Sequence, residues 1–461
     1  MDTATRVASL TQRLAEFTAD MHAAALPPGA SDIVLTGVTD FVAAMVAGRN
    51  EPVVRIVRAA IDPAPRGPGT ARLLLGAERG SPRAAALHNG TAGHALDYDD
   101  VALGAHTSAV LVPALLATAE AIGAPGSQLV SGYVAGYEVW AELCERDSDQ
   151  HHRKGWHPTS IFGAIGAAAA CAAMRGLGAE TCRHALGIAA SMASGLVANF
   201  GTMTKPFHAG RAAEAGVLAT QLAAAGMTAA PDAIEHPLGF LNAVSPSGRV
   251  ALDPETRLGQ DWHLLRHGLN VKKYPMCYST HRSLDGMLDL RTEHGFAADQ
   301  IASVEVEMSR TQAAILRNSR PWTGLDAKFS EEFAMATAAI AGRAGLQELR
   351  DEFVQRPEVQ AFFPRVTVHP TDLSDPEDPA FSPTETVRVQ LADGRSFSRE
   401  IRHARGHAQL PLGPGALWTK FADCLAGAAT PAEARSLFDA LQRLETLDSV
   451  SELPTIATLP S

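Results

Sequence analysis

The sequence is short of the residues that announce the commonest chemistries. It has five cysteines in 461 residues, Cys144, Cys171, Cys182, Cys277 and Cys424, and none are spaced as CxxC or CxxxC. That leaves no recognisable zinc or iron–sulfur ligand run and fits a reducing compartment. Aromatic residues make up only 6% while glycine is plentiful at 39, which points to closely packed helices rather than a β-sandwich. Basic residues are outnumbered, 39 Lys and Arg against 50 Asp and Glu, for a net charge of −11. A phosphate-backbone binder needs a concentrated basic footprint, so nucleic acid is not an expected partner. The longest apolar run, Ile161 to Met174, has 14 residues, short of the about 20 a bilayer requires. The N-terminal stretch MDTATRVASLTQRLAEF mixes both charges and lacks the apolar segment of a signal peptide. A soluble, cytoplasmic protein with no membrane partner is expected. No GxGxxG follows a strand, and GxxxxGK[ST], GxSxG and HExxH do not occur. Dinucleotide, P-loop, serine-hydrolase and zincin readings lose most of their support.

What is present is apolar and helical. Apolar residues reach 46% and charged ones 19%, enough for a sizeable core, and the length suggests two domains. Val7, Leu10, Leu14, Phe17 and Met21 recur at steps of three and four, one face of a helix. Asp40 to Ala47 and Ala114 to Ile122 read as helical, as do the Ala-rich segments Thr159 to Met174, Cys182 to Leu196 and His208 to Gly226. After about Asn270 the pattern changes. Ser303 to Met308, Arg365 to Val368 and Thr386 to Leu391 alternate like half-buried strands, and Ala392-Asp393-Gly394 turns the last into Ser396 to Ile401 as a hairpin. Ser283 to His294 and Ser330 to Gly342 have helical period between them. Asp372 to Pro383 reads as a surface loop. Two further helical stripes follow, Leu417, Phe421, Cys424 and Leu425, then Leu437, Phe438, Leu441 and Leu444. The expected fold is mainly α: a large all-helical domain built from both chain ends, 1–268 and 405–461, with a smaller α+β domain inserted at 269–404.

Four polar clusters stand at or just before the starts of predicted helices. The first runs from His94 through Asp97, Asp99 and Asp100 to His106. The second is Trp156-His157-Pro158-Thr159-Ser160. The third runs from Gly201 through Thr204 and Lys205 to His208, ahead of Arg211. The fourth contains Lys272, Lys273, Cys277, Tyr278, His281 and Arg282. Helix N-termini expose unpaired N–H groups and favour anions. Histidines there can transfer protons near neutral pH, and Lys205, Lys273, Arg211 and Arg282 supply cationic anchors. Converging clusters of this kind would bind a small polycarboxylate beside a proton-transfer histidine. Each also has a plainer reading: an N-cap with Pro in the first turn for His157-Pro158, a structural role for His106, a solvated turn for Asp97, Asp99 and Asp100 unless they orient His94 or His106, a surface pair for Lys272-Lys273. An Asp-rich turn in a helical protein could instead hold Mg²⁺ and a diphosphate, but there is one acidic cluster and no second metal motif.

At these residues the chain resembles the MmgE/PrpD family. The stretches that carry the resemblance are HNGTAGHALDYDD, GYVAGYEV, GWHPTSIFGAIGAAAA, ALGIAASMASGLVANFGTMTKPFHAGRAAEAG, YPMCYSTH, AKFSEEFAMA and ARGHAQLPLGPGALWTKFADC, in family order from about residue 88 to 427. The resemblance implies a large helical domain with a smaller α+β domain, a homodimer, and proton chemistry on a small polycarboxylate with no cofactor and no metal. It places Asp97, His106, His157, Lys205 and His281 as catalytic, with Thr204, Lys273, Tyr278, Arg282 and Ser160 binding substrate. Family activities include 2-methylcitrate dehydratase, cis-aconitate decarboxylase and iminodisuccinate epimerase. The expectation is a 2-methylcitrate-dehydratase-like hydro-lyase, with the epimerase, then the decarboxylase, then a non-catalytic polycarboxylate binder as alternatives. Two departures bear on decarboxylation. The stretch from Asp97 to His106 is one residue shorter than in decarboxylases, with Val101 where they carry a hydroxyl, and Phe333 stands where a tyrosine is common.

Overall fold

Alanine and glycine spaced along the first half of the chain let its helices approach closely, and the computed structural model shows which ones do. It describes residues 9–62, 69–147, 149–252, 256–376 and 378–457; Val7 lies outside them. By contact the chain divides into two compact units, 1–269 with 418–461, and 270–417.

The first unit is built around the helix Pro158–Met174, buried at every position. Gly126–Arg146, Thr204–Ala224, Ser108–Ile122 and Ala179–Ala190 pack against it. The Ala-rich face explains this: a Cβ on Gly216 would stand 2.3 Å from that of Ala167, so only glycine lets the two helices meet there. Leu10–Asp20 starts where Ser9 Oγ accepts the Gln12 amide. Ala30–Gly48 is long and apolar enough to cross a membrane by length and composition, yet 72% of that window is buried inside the protein, against neighbouring helices. At the chain's end, Pro431–Gln442 opens with a Thr430/Glu433 capping box, and Phe438 meets Phe421 and Trp418 of Pro414–Leu425 edge-on at 5.4 and 5.2 Å.

Two expectations need correction. The unit is not wholly helical, because Ala71–Arg72 and Arg79–Gly80 pair as a short antiparallel ribbon. The helix expected over Cys182 to Leu196 ends at Ala190; the chain then loops, and Gly195 takes φ +115°, a left-handed-side conformation no helix continues. Helices Pro82–His94 and Gly126–Arg146 carry no amphipathic stripe. Both are buried on most sides, which removes the 3.6-residue contrast that would have marked them.

The second unit has a four-stranded mixed sheet in the order 366–371, 301–309, 385–391, 396–401. Ile301–Ser309 runs parallel to Val366–Thr371 and antiparallel to Glu385–Leu391, which pairs with Ser396–Ile401 across the hairpin. Alternation decides which side is inward: Val304, Val306 and Met308 are buried while Glu305 is exposed. The parallel pair needs a crossover, and Glu331–Ala341 lies within it, capped by Ser330. His281–His294 packs on the hairpin strands and on that helix. Residues 372–376 and 378–383, on either side of one residue outside the described set, are loop, with Asp375 and Ser382 buried.

Candidate active site

A close helix crossing starts the site. Pro82–His94 and Thr204–Ala224 meet at Gly90 and Gly210, where an added Cβ would stand 2.9 Å from Gly210 Cα or 2.2 Å from the Leu87 carbonyl oxygen. One turn beyond Gly90 lies His94, at the C-terminal end of its helix rather than ahead of one. Just before Gly210 lie Lys205 and His208.

The turn after His94 is wound tightly. Asp97 sits at φ +55°, a left-handed conformation that Asp tolerates better than most residues. Its carboxylate is 2.5 Å from Lys205 Nζ and 3.6 Å from His106 Nε2. Asp99, two residues on, points inward and is fully buried. Its oxygens lie 3.0 Å from His94 Nδ1 and 2.9 Å from His106 Nδ1, and the two rings stand 4.4 Å apart. The His106 amide donates to Thr159 Oγ1 at 3.2 Å, fastening this turn to the second cluster.

His157 occupies the N-cap position of the helix opened by Pro158, and its amide donates to the Gly195 carbonyl at 3.0 Å. Its ring lies 6.1 Å from that of His94 and 4.8 Å from Phe200, and its Nδ1 is 3.2 Å from His208 Nδ1. Ser160 Oγ donates to the His208 carbonyl. Lys205 Nζ stands 5.5 Å above the Phe200 ring. Thr204 opens the helix carrying Lys205 and bonds through its amide to Thr202 Oγ1. Asp97, His106, His157, Ser160 and Lys205 thus share one neighbourhood. His94, His208 and Asp99 join them from outside the expected site residues, Asp99 in the orienting role toward His94 and His106 that its cluster allowed. One signal was available for His208, which follows Lys205 by three on a helix and so shares its face.

Burial sets the charges. His94 is pushed down to about 4 by desolvation, against the pull of Asp99. His157 and His208 are lowered as well, each by burial first, with Lys205 adding repulsion. Burial would raise Asp99, but His94 and His106 outweigh it and hold the carboxyl well below the usual range. An ionised carboxylate only accepts, so both Nδ1 atoms facing Asp99 carry protons. His94 Nε2 has no hydrogen-bond partner among the described residues.

Behind the turn stands a buried ion pair. Lys420 Nζ is 2.5 Å from Asp40 Oδ1, 2.8 Å from the Tyr98 carbonyl oxygen and 4.0 Å from the centre of the Tyr98 ring. Burial raises Asp40 to about 6 even with Lys420 beside it. The lysine grips the carbonyl next to Asp97 and so steadies a strained residue from the core side.

The other candidates lie in the second unit. His281 is fully buried, with Nε2 3.4 Å from the Met276 carbonyl and its ring 4.9 Å from Tyr278. Lys273 lies 2.9 Å from the Tyr274 hydroxyl and 3.3 Å from Asp285, which Arg405 also meets. Lys272 is buried, not half of a surface pair. Arg282, also buried, donates to the Ser382 carbonyl at 2.8 Å and faces the Phe381 ring. Among the described residues no carboxylate is within ion-pair distance of it. Phe333 is fully buried and edge-on to Phe353; in this chain it is a packing position, so a phenol there would have its hydroxyl in the core.

Among the described residues two groups could hold a metal by proximity alone, His94, Asp99 and His106, and Glu145, His263 and His267. In the first, Asp99 already accepts from both rings. In the second, beside a cavity of about 340 Å³ away from the histidine cluster, the Arg266 guanidinium contacts both Glu145 and His263.

Sequence comparison relates the chain to known proteins. The profile of the MmgE/PrpD N-terminal domain matches residues 12–253 and that of the MmgE/PrpD C-terminal domain matches residues 274–446. The chain is 28% identical over 396 residues to a cis-aconitate decarboxylase of Mus musculus, covering 82% of this chain and 79% of that one. It is 28% identical over 395 residues to the Homo sapiens cis-aconitate decarboxylase, covering 82% and 80%. Against the cis-aconitate decarboxylase of Aspergillus terreus it is 23% identical over 421 residues, covering 85% and 84%.

Proposed function

This chain belongs to the MmgE/PrpD family, and we propose that it is a lyase that removes CO₂ from a small tricarboxylate of the cis-aconitate type. The observation that carries the reading is the gathering of four imidazoles around Lys205 and two aspartates in one partly buried cluster, in a chain whose curated relatives bear that name. Decarboxylation thereby takes the place of dehydration as the favoured reaction. Dehydration of a 2-methylcitrate-like acid and epimerisation draw no support from those relatives.

The chemistry suits such a cluster. In cis-aconitate one carboxylate hangs from a saturated carbon next to the double bond. Breaking its C–C bond releases CO₂ and leaves the electron pair spread over an allyl system. A proton delivered to the far carbon shifts the double bond and gives a methylene dicarboxylate. Lys205 would anchor a remaining carboxylate, with Asp97 holding the ammonium in place. An imidazole among His106, His157 and His208 would deliver the proton, a step worth about 10²–10⁴-fold.

Turnover of cis-aconitate in D₂O tests this. CO₂ release with one solvent deuterium in the product is expected. His157→Ala and Lys205→Ala should each lower kcat/KM by about 10² or more while the fold survives. Near-normal turnover in both variants would refute the assignment. A new double bond formed from a hydroxy acid would mark dehydration instead, and deuterium in recovered substrate or its epimer would mark epimerisation.

A further inference from the structure

The cluster's four rings raise the question of which gives a proton and which takes one. The contact between His157 and His208 constrains the answer. Their Nδ1 atoms are 3.2 Å apart, and a hydrogen bond between two ring nitrogens needs a proton on one of them. A neutral imidazole carries one proton in all. The ring that donates from Nδ1 therefore has a bare Nε2, and the ring that accepts at Nδ1 has its proton on Nε2. The two rings cannot share a tautomer while the bond exists. Other contacts hold them in place: Gly195 accepts the His157 amide, Ser160 bonds the His208 carbonyl, and Phe200 stands edge-on to His157.

We propose that His208 is a positioning residue that sets the tautomer of His157 through this bond, so that the pair presents one bare Nε2 and one Nε2–H. The site then has a base and an acid ready together, neither of them charged beforehand. When the Nε2–H proton passes to the substrate carbanion, the bridging proton crosses to that ring and a solvent proton enters at the other Nε2. Neither ring is left as an imidazolate. The titratable groups facing the pair are Lys205, His94 and His106, and burial together with Lys205 keeps both rings from taking a second proton. This deepens the proposed function and rests on it, since it assumes that His157 touches substrate.

Two substitutions separate this role from simple packing. His208→Phe fills the space without a nitrogen, while His208→Asn places an amide where Nδ1 stood and can still bond His157. The phenylalanine variant should lose about 10²-fold or more in kcat with KM changed less than about threefold, and the asparagine variant should recover roughly tenfold of that loss. The reverse order, with phenylalanine near normal and asparagine worse, would overturn the proposal. A second measurement needs no substrate: NMR of the full chain carrying ¹⁵N-histidine distinguishes a bare ring nitrogen from a protonated one. Opposite tautomers at His157 and His208 are expected at neutral pH, and the same tautomer at both overturns the pairing. If His157→Ala and Lys205→Ala abolish turnover while His208→Phe does not, the pairing fails and the decarboxylase reading stands.

Discussion

The protein buries two clusters of titratable groups, one in each unit, and they handle charge in opposite ways. Around Asp99 in the first, burial keeps His94 from taking a second proton, and the carboxylate stays ionised because two imidazole N–H groups point at it. At the start of the helix His281–His294 in the second, two carboxyls near a guanidinium are pushed upward by burial. Glu385 is pushed up to about 8 by burial against the pull of Arg282, and Glu331 is raised as well, by burial and by Glu385. The Glu385 carboxyl has no hydrogen-bond partner among the described residues. The lesson concerns what a buried acid can do. One that accepts charge-assisted hydrogen bonds orients its neighbours. One without them takes up a proton and leaves the adjacent cation free for an outside anion.

Replacing each acid by its amide gives the sharpest contrast. Asp99→Asn cannot accept from both His94 and His106 without turning an N–H toward one of them. That should cost about 10²–10⁴-fold in kcat, the size of a misplaced acid–base group. Glu385→Gln exchanges a mostly neutral carboxyl for a neutral amide of the same shape, and should leave kcat within about twofold at neutral pH. Steady-state kinetics on both variants checks this, and equal losses would erase the distinction between the clusters.

The ion pair behind the first cluster has no counterpart around Arg282. Removing one partner from a buried pair typically costs about 3–5 kcal/mol, whereas replacing both by apolar residues is often neutral. Lys420→Met should therefore lower Tm strongly, and the double variant Asp40→Leu/Lys420→Met should recover much of it. Turnover should not return with the fold, because the grip on the Tyr98 carbonyl beside the strained Asp97 is still missing. If the double variant regains both, Lys420 acts on stability alone.

These residues also show what a reader of the sequence could and could not see. Alternation in SVEVEM and TVRVQL located two sheet strands and the hairpin, since a half-buried strand writes its period into its residues. The Ala-rich segments declared themselves as helices, but not the crossing at Gly90 and Gly210 that sets His94 against Lys205. Asp97, His106, His157 and Lys205 could be picked from local motifs. The bond between His157 and His208 spans 51 residues, and Lys420 reaches Tyr98 across 322. No local pattern encodes such pairings. Phe333 misled for the same reason: its place in a motif suggested a missing phenol in the site, while its surroundings make it core.

The last contrast concerns pH, and its sign differs between the two units. His94 has a folded pKa near 4 against an ordinary value of 6.5. The unfolded chain binds a proton between those values that the native state refuses. Stability from this group is thus present above pH 6.5 and lost as pH falls toward 4, by on the order of 3 kcal/mol in total. Glu385 runs the other way, with a folded pKa of about 8 against 4.5. The native state holds a proton that the unfolded chain releases, so stability is lost as pH rises from 4.5 through 8. Denaturant unfolding as a function of pH should therefore carry two opposing slopes, one rising with pH between about 4 and 6.5 that His94→Asn removes and one falling with pH between about 4.5 and 8 that Glu385→Gln removes, the two partly offsetting each other where they overlap. Each substitution should leave the other slope alone, since the groups sit in different units. Should both slopes respond to the same variant, the two clusters titrate as one, and the contrast between an orienting carboxylate and a neutral one fails.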